Sequence, residues 1–230
     1  MKRFWKTVTV EPTEGGLGVA LDGRPVRTPG RVPLAVPTSA LAQALADEWS
    51  GVGDTLDPRA MPLTGLANAA IDRVAPDPVA FAAGLAAYGE SDLLCYRAEG
   101  PEPLVARQRA AWDPVLAWAR GRYDVTFETT AGVMHVAQPP ATIARLGEAT
   151  AARDPFALAG LSPIVTVTGS LVLALALAER AFDAEAVWNA AHVDEDWQAE
   201  RWGEDPLATE ARLIRRGDFD AAVRFLDALR

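Results

Sequence analysis

The stretch LGVALDGRPVRTPGRVPLAVPTSALAQALADEW, Leu17 to Trp49, decides the fold. Its first half alternates short β-prone runs with turn residues. Leu17 to Leu21 reads as a strand, and Asp22-Gly23 as a hairpin turn, because both positions must tolerate positive φ. Val26 to Thr28 returns, Pro29-Gly30 turns the chain again, and Leu34 to Val36 runs back. Upstream, Trp5 and Thr7 to Val10 are strand formers, followed by a turn at Glu14-Gly15-Gly16. A small, twisted antiparallel sheet is expected. At Thr38-Ser39 the period changes from two to 3.6. A hydroxyl cap precedes Leu41, Ala42, Leu45, Ala46 and Trp49, which share one helix face.

Gly51-Val52-Gly53 ends that helix, and residues 51 to 58 read as a linker. From Met61 onward helical patterns dominate. Pro62 suits a first turn, and Leu63, Leu66, Ala67, Ala70, Ile71 and Val74 form an apolar stripe. Further helices are expected at about 78–88, 103–120, 140–152, 164–182, 184–202 and 206–229, with a short hairpin within 123–136. The fold class is therefore α+β. A small antiparallel β-rich N-terminal domain ending in a helix (1–58) joins a larger all-α C-terminal domain (59–230).

The chain has 230 residues, half of them hydrophobic and 23% charged, an ordinary balance for a folded protein. A formal net charge of -9, with Lys2 and Lys6 as the only lysines, argues against nucleic acid and anionic membranes as partners. The single cysteine, Cys95, excludes an intrachain disulfide framework and fits a reducing compartment. MKRFWKTVTVEP has basic residues but no apolar run behind them, so it does not read as a secretory signal, and a bacterial-type cytoplasm is expected. Pro155 to Ala178 carries no charge, but Pro163 and the polar residues Ser162, Thr166, Thr168 and Ser170 point to a buried central helix rather than a membrane span.

Catalytic patterns are sparse. The glycines at 15–18 lie between strands and lack the lysine and following helix of a phosphate loop. Cys95, in ESDLLCYR, reads as a small buried hydrophobe. His192, Glu195 and Asp196 stand at i, i+3 and i+4 and would share a helix face. That is half of a bundle-type carboxylate metal site, whose other Glu-x-x-His the chain lacks. A metal-dependent enzyme using that face stays open as an alternative, as does a helical adaptor for another protein. Among seven tryptophans, Trp112 and Trp118 read as core. Trp49 and Trp202 sit at helix ends, where tryptophan either braces structure or supplies a binding hot spot.

Seven ordered blocks carry a resemblance. They are RFWK (3–6), LDGRPVRTP (21–29), PLAVPTSALAQALADEW (33–49), MPLTGLANAAID (61–72), YGESDLLCYRA (88–98), RQRAAWDP (107–114) and DEDWQAERWGEDP (194–206). Together the chain resembles the ATP synthase assembly chaperones of the Atp-twelve type, from about residue 3 to about residue 210. The resemblance implies a β-containing domain joined to a helical one, no enzymatic role and no cofactor. It implies binding of the unassembled α subunit of the F-type ATP synthase catalytic head, shielding its interface until the β subunit replaces the chaperone. It also implies a bacterial cytoplasmic location, or a mitochondrial matrix location in organelle-bearing relatives, and a monomer when free. The partner-binding candidates are Trp49, Trp202, Glu204 and Asp205, with Asp196 and Glu200 on the same acidic block. One departure is that Pro206 and Leu207 follow the Trp-Gly-Glu-Asp block, with Glu210 as the next acid. Asp205 has a competing reading as the cap of the last helix, which starts near Pro206.

Overall fold

A computed structural model describes residues 2–230. The chain forms an α+β fold divided into two compact units. One comprises the chain up to Pro78 together with Asp154–Gly160 and Asp220–Arg230; the other comprises Val79–Arg153 and Leu161–Phe219.

In the first unit, β1 (Val8–Thr13), β2 (Gly16–Leu21), β3 (Arg24–Pro25) and β4 (Ala35–Val36) form one antiparallel sheet in which β2 pairs with all three others. The expected Asp22-Gly23 turn is there, with φ of 48° and 76°. The Asp22 carboxylate also ties down the incoming chain, accepting from the Lys6 and Thr7 amides and the Thr7 hydroxyl. Those hydrogen bonds hold its pKa below the ordinary carboxylate value. Gly16 is required sterically: a Cβ there would lie 2.3 Å from the Val36 carbonyl oxygen.

Helix α1 (Ser39–Ser50) starts at Thr38, whose hydroxyl accepts from the Leu41 amide, and lays Leu41, Ala42, Leu45, Ala46 and Trp49 onto the sheet. Fully burying a leucine-sized side chain stabilises by roughly 1.5–3 kcal/mol, so this one face accounts for much of the unit's core. Glu48, on α1, accepts from the Leu63 and Thr64 amides at 2.8 Å and so caps α2 (Pro62–Ala69) from a distance. The chain continues through a π-turn at Ala70–Val74. There Asp72 accepts from the Thr28 hydroxyl and the Gly30 amide. These bonds explain why MPLTGLANAAID and LDGRPVRTP belong together. Residues 51–58, expected to be a linker, lie inside this unit: Val52 is buried, and Arg3 holds the Ser50 and Val52 carbonyls.

The second unit is helical. It contains α3 (Pro78–Ala86), β5 (Tyr96–Arg97), α4 (Glu102–Tyr123), β6 (Thr130–Ala131), α5 (Pro140–Ala151), α7 (Leu171–Ala178), α8 (Ala184–Ala191) and α9 (Val193–Trp202), with parts of α6 (Pro155–Thr168) and α10 (Pro206–Ala228). Helix α4 packs against α5, α7, α8 and α9. Every residue from Leu171 to Leu177 is buried, which makes α7 the centre of this unit. No helix among the described residues is long and apolar enough to cross a membrane.

Three sequence expectations are corrected here. The single helix expected over 164–182 is two, because Gly169 takes φ +65° and Ser170 becomes the N-cap of α7, accepting from Leu173. The helix expected to begin at about 164 begins at Pro155, so Pro163 sits inside α6. The hairpin expected in 123–136 is absent: β6 pairs in parallel with β5, and side chains close the loop that carries β6. The Gln138 amide bonds the Glu128 backbone in both directions, and the Thr142 hydroxyl does the same for Thr126.

Candidate partner-binding site

The acidic block 194–205 occupies α9 and the turn after it. Most of its acids have internal work. Asp194 accepts from the Gln108 amide at 2.7 Å. Glu195 receives both carboxylate contacts from Arg215 at 2.8 Å, and Asp196 pairs with Arg212 at 2.5 Å. Glu200 pairs with Arg107 at 2.8 Å, and that hydrogen bond lowers its pKa. The guanidinium of Arg107 also lies over the Trp197 ring at 4.9 Å, with Arg201 at 4.5 Å. Trp197 is buried and serves as the anchor of α9. Asp196 and Glu200, read as partner contacts, are thus engaged in ion pairs within the chain.

The junction after α9 differs. Trp202 is 78% exposed, and Gly203 (φ +87°) ends the helix. Glu204 is exposed, and among the described residues no hydrogen bond or ion pair engages its carboxylate. Asp205 accepts from the Leu207 amide at 2.8 Å, and its carbonyl accepts from Thr209, so it caps the start of α10. Asp205 is therefore the cap of α10, while the Glu204 carboxylate beside it is exposed and uncommitted.

Trp49 does not belong to this surface. It is 9% exposed, packed edge-on against Trp5 at 5.4 Å, and its carbonyl accepts from the Trp5 indole. Its position at a helix end suggested exposure, but Trp5, 44 residues earlier, covers it. Its role is in the core of the first unit.

The metal reading also fails on geometry. His192 is the junction between α8 and α9 rather than a position inside one continuous helix. Its ring stacks on Trp188 at 3.8 Å, and Nδ1 donates to the Trp188 carbonyl at 2.8 Å. Burial lowers its pKa and so favours the neutral ring. Glu195 and Asp196 are neutralised by Arg215 and Arg212, and no cluster of three potential metal ligands occurs among the described residues.

A groove of about 680 Å³ that sequence reasoning missed adjoins Trp202, lined by Tyr96, Arg97, Leu104, Val133, Trp197 and Trp202 among others. Val133 is 95% exposed, and the adjacent Met134 is 76% exposed. The only sequence hint was two consecutive apolar residues after Gly132, in a segment read as a hairpin.

A profile of the family described as ATP12 chaperone protein matches residues 2–120. The structure of Atp12 from Paracoccus denitrificans is 44% identical, with a TM-score of 0.92 over 100% of this chain and 98% of that one. The Atu1473 protein from Agrobacterium tumefaciens is 45% identical, with a TM-score of 0.93 over 100% of this chain and 86% of that one. On both grounds, the chain belongs to the ATP12 chaperone family and is a chaperone rather than an enzyme.

Proposed function

We propose that this chaperone acts in assembly of the F-type ATP synthase, holding the unassembled α subunit of the catalytic head and shielding its interface until the β subunit takes over. Family membership supports the assembly role. The observation that carries the partner-binding reading is the α9–α10 junction, where a 78% exposed tryptophan stands two residues from an uncommitted glutamate. An exposed tryptophan can anchor a protein contact, and an unpaired carboxylate beside it can orient a basic partner. A subunit of an obligate ring exposes an extensive apolar interface when alone. Its chaperone needs a complementary patch of modest affinity, because the true neighbour must displace it. We place the chaperone in the compartment where the head assembles, the cytoplasm of a bacterium, as one free monomer per α subunit.

The test is co-purification with newly made α subunit, comparing wild type with Glu204→Lys. Because the Glu204 carboxylate engages nothing among the described residues, the variant should keep the wild-type melting temperature. It should bind α at least about tenfold more weakly, the scale of a reversed charge at an interface. A wild-type chaperone that captures no α subunit, in a strain whose synthase assembles normally without it, refutes the proposal.

A further inference from the structure

We infer that the groove beside Trp202 seats a segment of the α subunit that carries a large apolar side chain next to a lysine or arginine. This rests on the α-subunit reading above and deepens it by naming the contact and its chemistry.

The walls of the groove are apolar and aromatic. Leu104 and Trp197 contribute from α4 and α9, and Val133 and Trp202 stand at its edge. Isolated exposed hydrophobes are ordinary, but here two of the chain's most exposed ones border a single concavity. The Val133 loop is held in place by its neighbours. Gly132 takes φ +84°, and its amide donates to the Arg97 carbonyl at 2.8 Å, extending the β5–β6 pairing to the base of the loop. Val133 is therefore presented outward from a fixed base, a preorganised contact rather than a collapsed one.

Charge selects the occupant. Three charged side chains line the groove: Arg97, Glu99 and Asp194. Arg97 is neutralised by Asp113 at 2.7 Å and is stacked on Trp112. Asp194 bonds only the neutral Gln108 amide, and no cation engages Glu99 among the described residues. The lining itself is thus net negative; outside it, the uncompensated Glu204 stands two residues beyond Trp202, and the Arg201 guanidinium lies against the Trp197 ring. An acidic mouth over apolar walls disfavours an acidic or purely polar segment and favours one that pairs a cation with an apolar anchor.

The experiment uses the full-length chaperone with a benzophenone amino acid in place of Val133, irradiated with newly made α subunit. A control carries the same group at Val79, which is 72% exposed and lies outside the groove. The expected result is an α adduct from position 133 only, mapping to a segment with a basic residue beside a large apolar one. In parallel, Val133→Asp and Glu99→Lys should each weaken α binding about tenfold with unchanged thermal melts, and Glu99→Lys should also flatten its salt dependence. If wild type captures α but position 133 yields no adduct and both variants bind normally, the groove inference falls while the α-subunit reading stands. If wild type captures no α at all, both fall together.

Discussion

Asp92, in the middle of YGESDLLCYRA, is fully buried and stitches α7 in place. Its carboxylate accepts from the Ser170 hydroxyl at 2.7 Å, the Val172 amide at 3.0 Å and the Leu94 amide at 3.1 Å. Burial outweighs those donors and pushes its pKa up to about 6, from an ordinary 3.8. The fold therefore favours the protonated form, and the stability that form contributes is lost as pH rises from about 3.8 through about 6. Asp92→Asn cannot titrate, and its amide would point a donor at one of the backbone N–H groups. The stability gap between wild type and Asp92→Asn should thus widen in favour of wild type as pH falls from 7.5 to 5, read from paired urea melts. A gap that stays constant over that range would remove the buried carboxyl from the account. His192 titrates in the opposite sense, its neutral form being favoured, but it is common to both proteins and cancels. Cys95 lies close by, and its thiol is pushed up to about 12, first by burial and then by the Asp92 charge, so it is inert packing as its apolar neighbours suggested. The Ser170 and Val172 bonds were not legible in the sequence, because those partners lie about 80 residues away; only the Leu94 bond is local.

At the scale of elements, what the sequence made legible is what is settled locally. The Asp22-Gly23 turn and the Thr38 cap are decided by residues within four positions of each other, and both stand where expected. The β5–β6 pairing joins residues 34 apart, and nothing local announces it. The break at Gly169-Ser170 is hidden because Pro155 to Ala178, free of charge throughout, reads as one central helix. Its two residues still carry the signature of a helix end followed by a cap, which apolarity masked. Glycines test the same distinction between local and distant causes. Gly53 has open space and no positive φ, so Gly53→Ala should be neutral or slightly stabilising. Gly23 has open space but φ +76°, so Gly23→Ala should cost about 1 kcal/mol. Gly16 has φ +149° and the Val36 carbonyl where a Cβ would go, so Gly16→Ala should cost at least about 2 kcal/mol, since backbone cannot rotate away as a side chain can. Chemical denaturation of the three variants should return that order, and a Gly16→Ala protein as stable as wild type would mean β2 and β4 are not closely paired.

For the molecule as a whole, the sequence suggested a break near residue 58, because composition shifts from β-prone to helical there. Compactness follows a different line. The core around Trp5, Leu34, Leu41, Leu45 and Trp49 also includes Phe225, which is fully buried, and Phe225 stacks on Phe156 at 6.5 Å. Gly160 admits Leu226 so closely that a Cβ would sit 2.7 Å from Cδ2, and the Thr38 hydroxyl donates to the Ala228 carbonyl at 2.5 Å. The first unit is thus assembled from three segments, the last of them the end of α10. Loss of one buried phenylalanine costs about 3–5 kcal/mol, a large fraction of what a small domain has. A chain truncated after Phe219 loses Phe225, Leu226 and the acceptor for Thr38 together. Such a chain should show the tryptophan fluorescence and amide-exchange protection of Trp5, α1 and the sheet collapsing, and an isolated 1–58 fragment should fail to fold for the same reason. A truncated chain that retained a native, cooperatively melting sheet would show that the strands and α1 suffice, and that the division near residue 58 is the one that matters for folding.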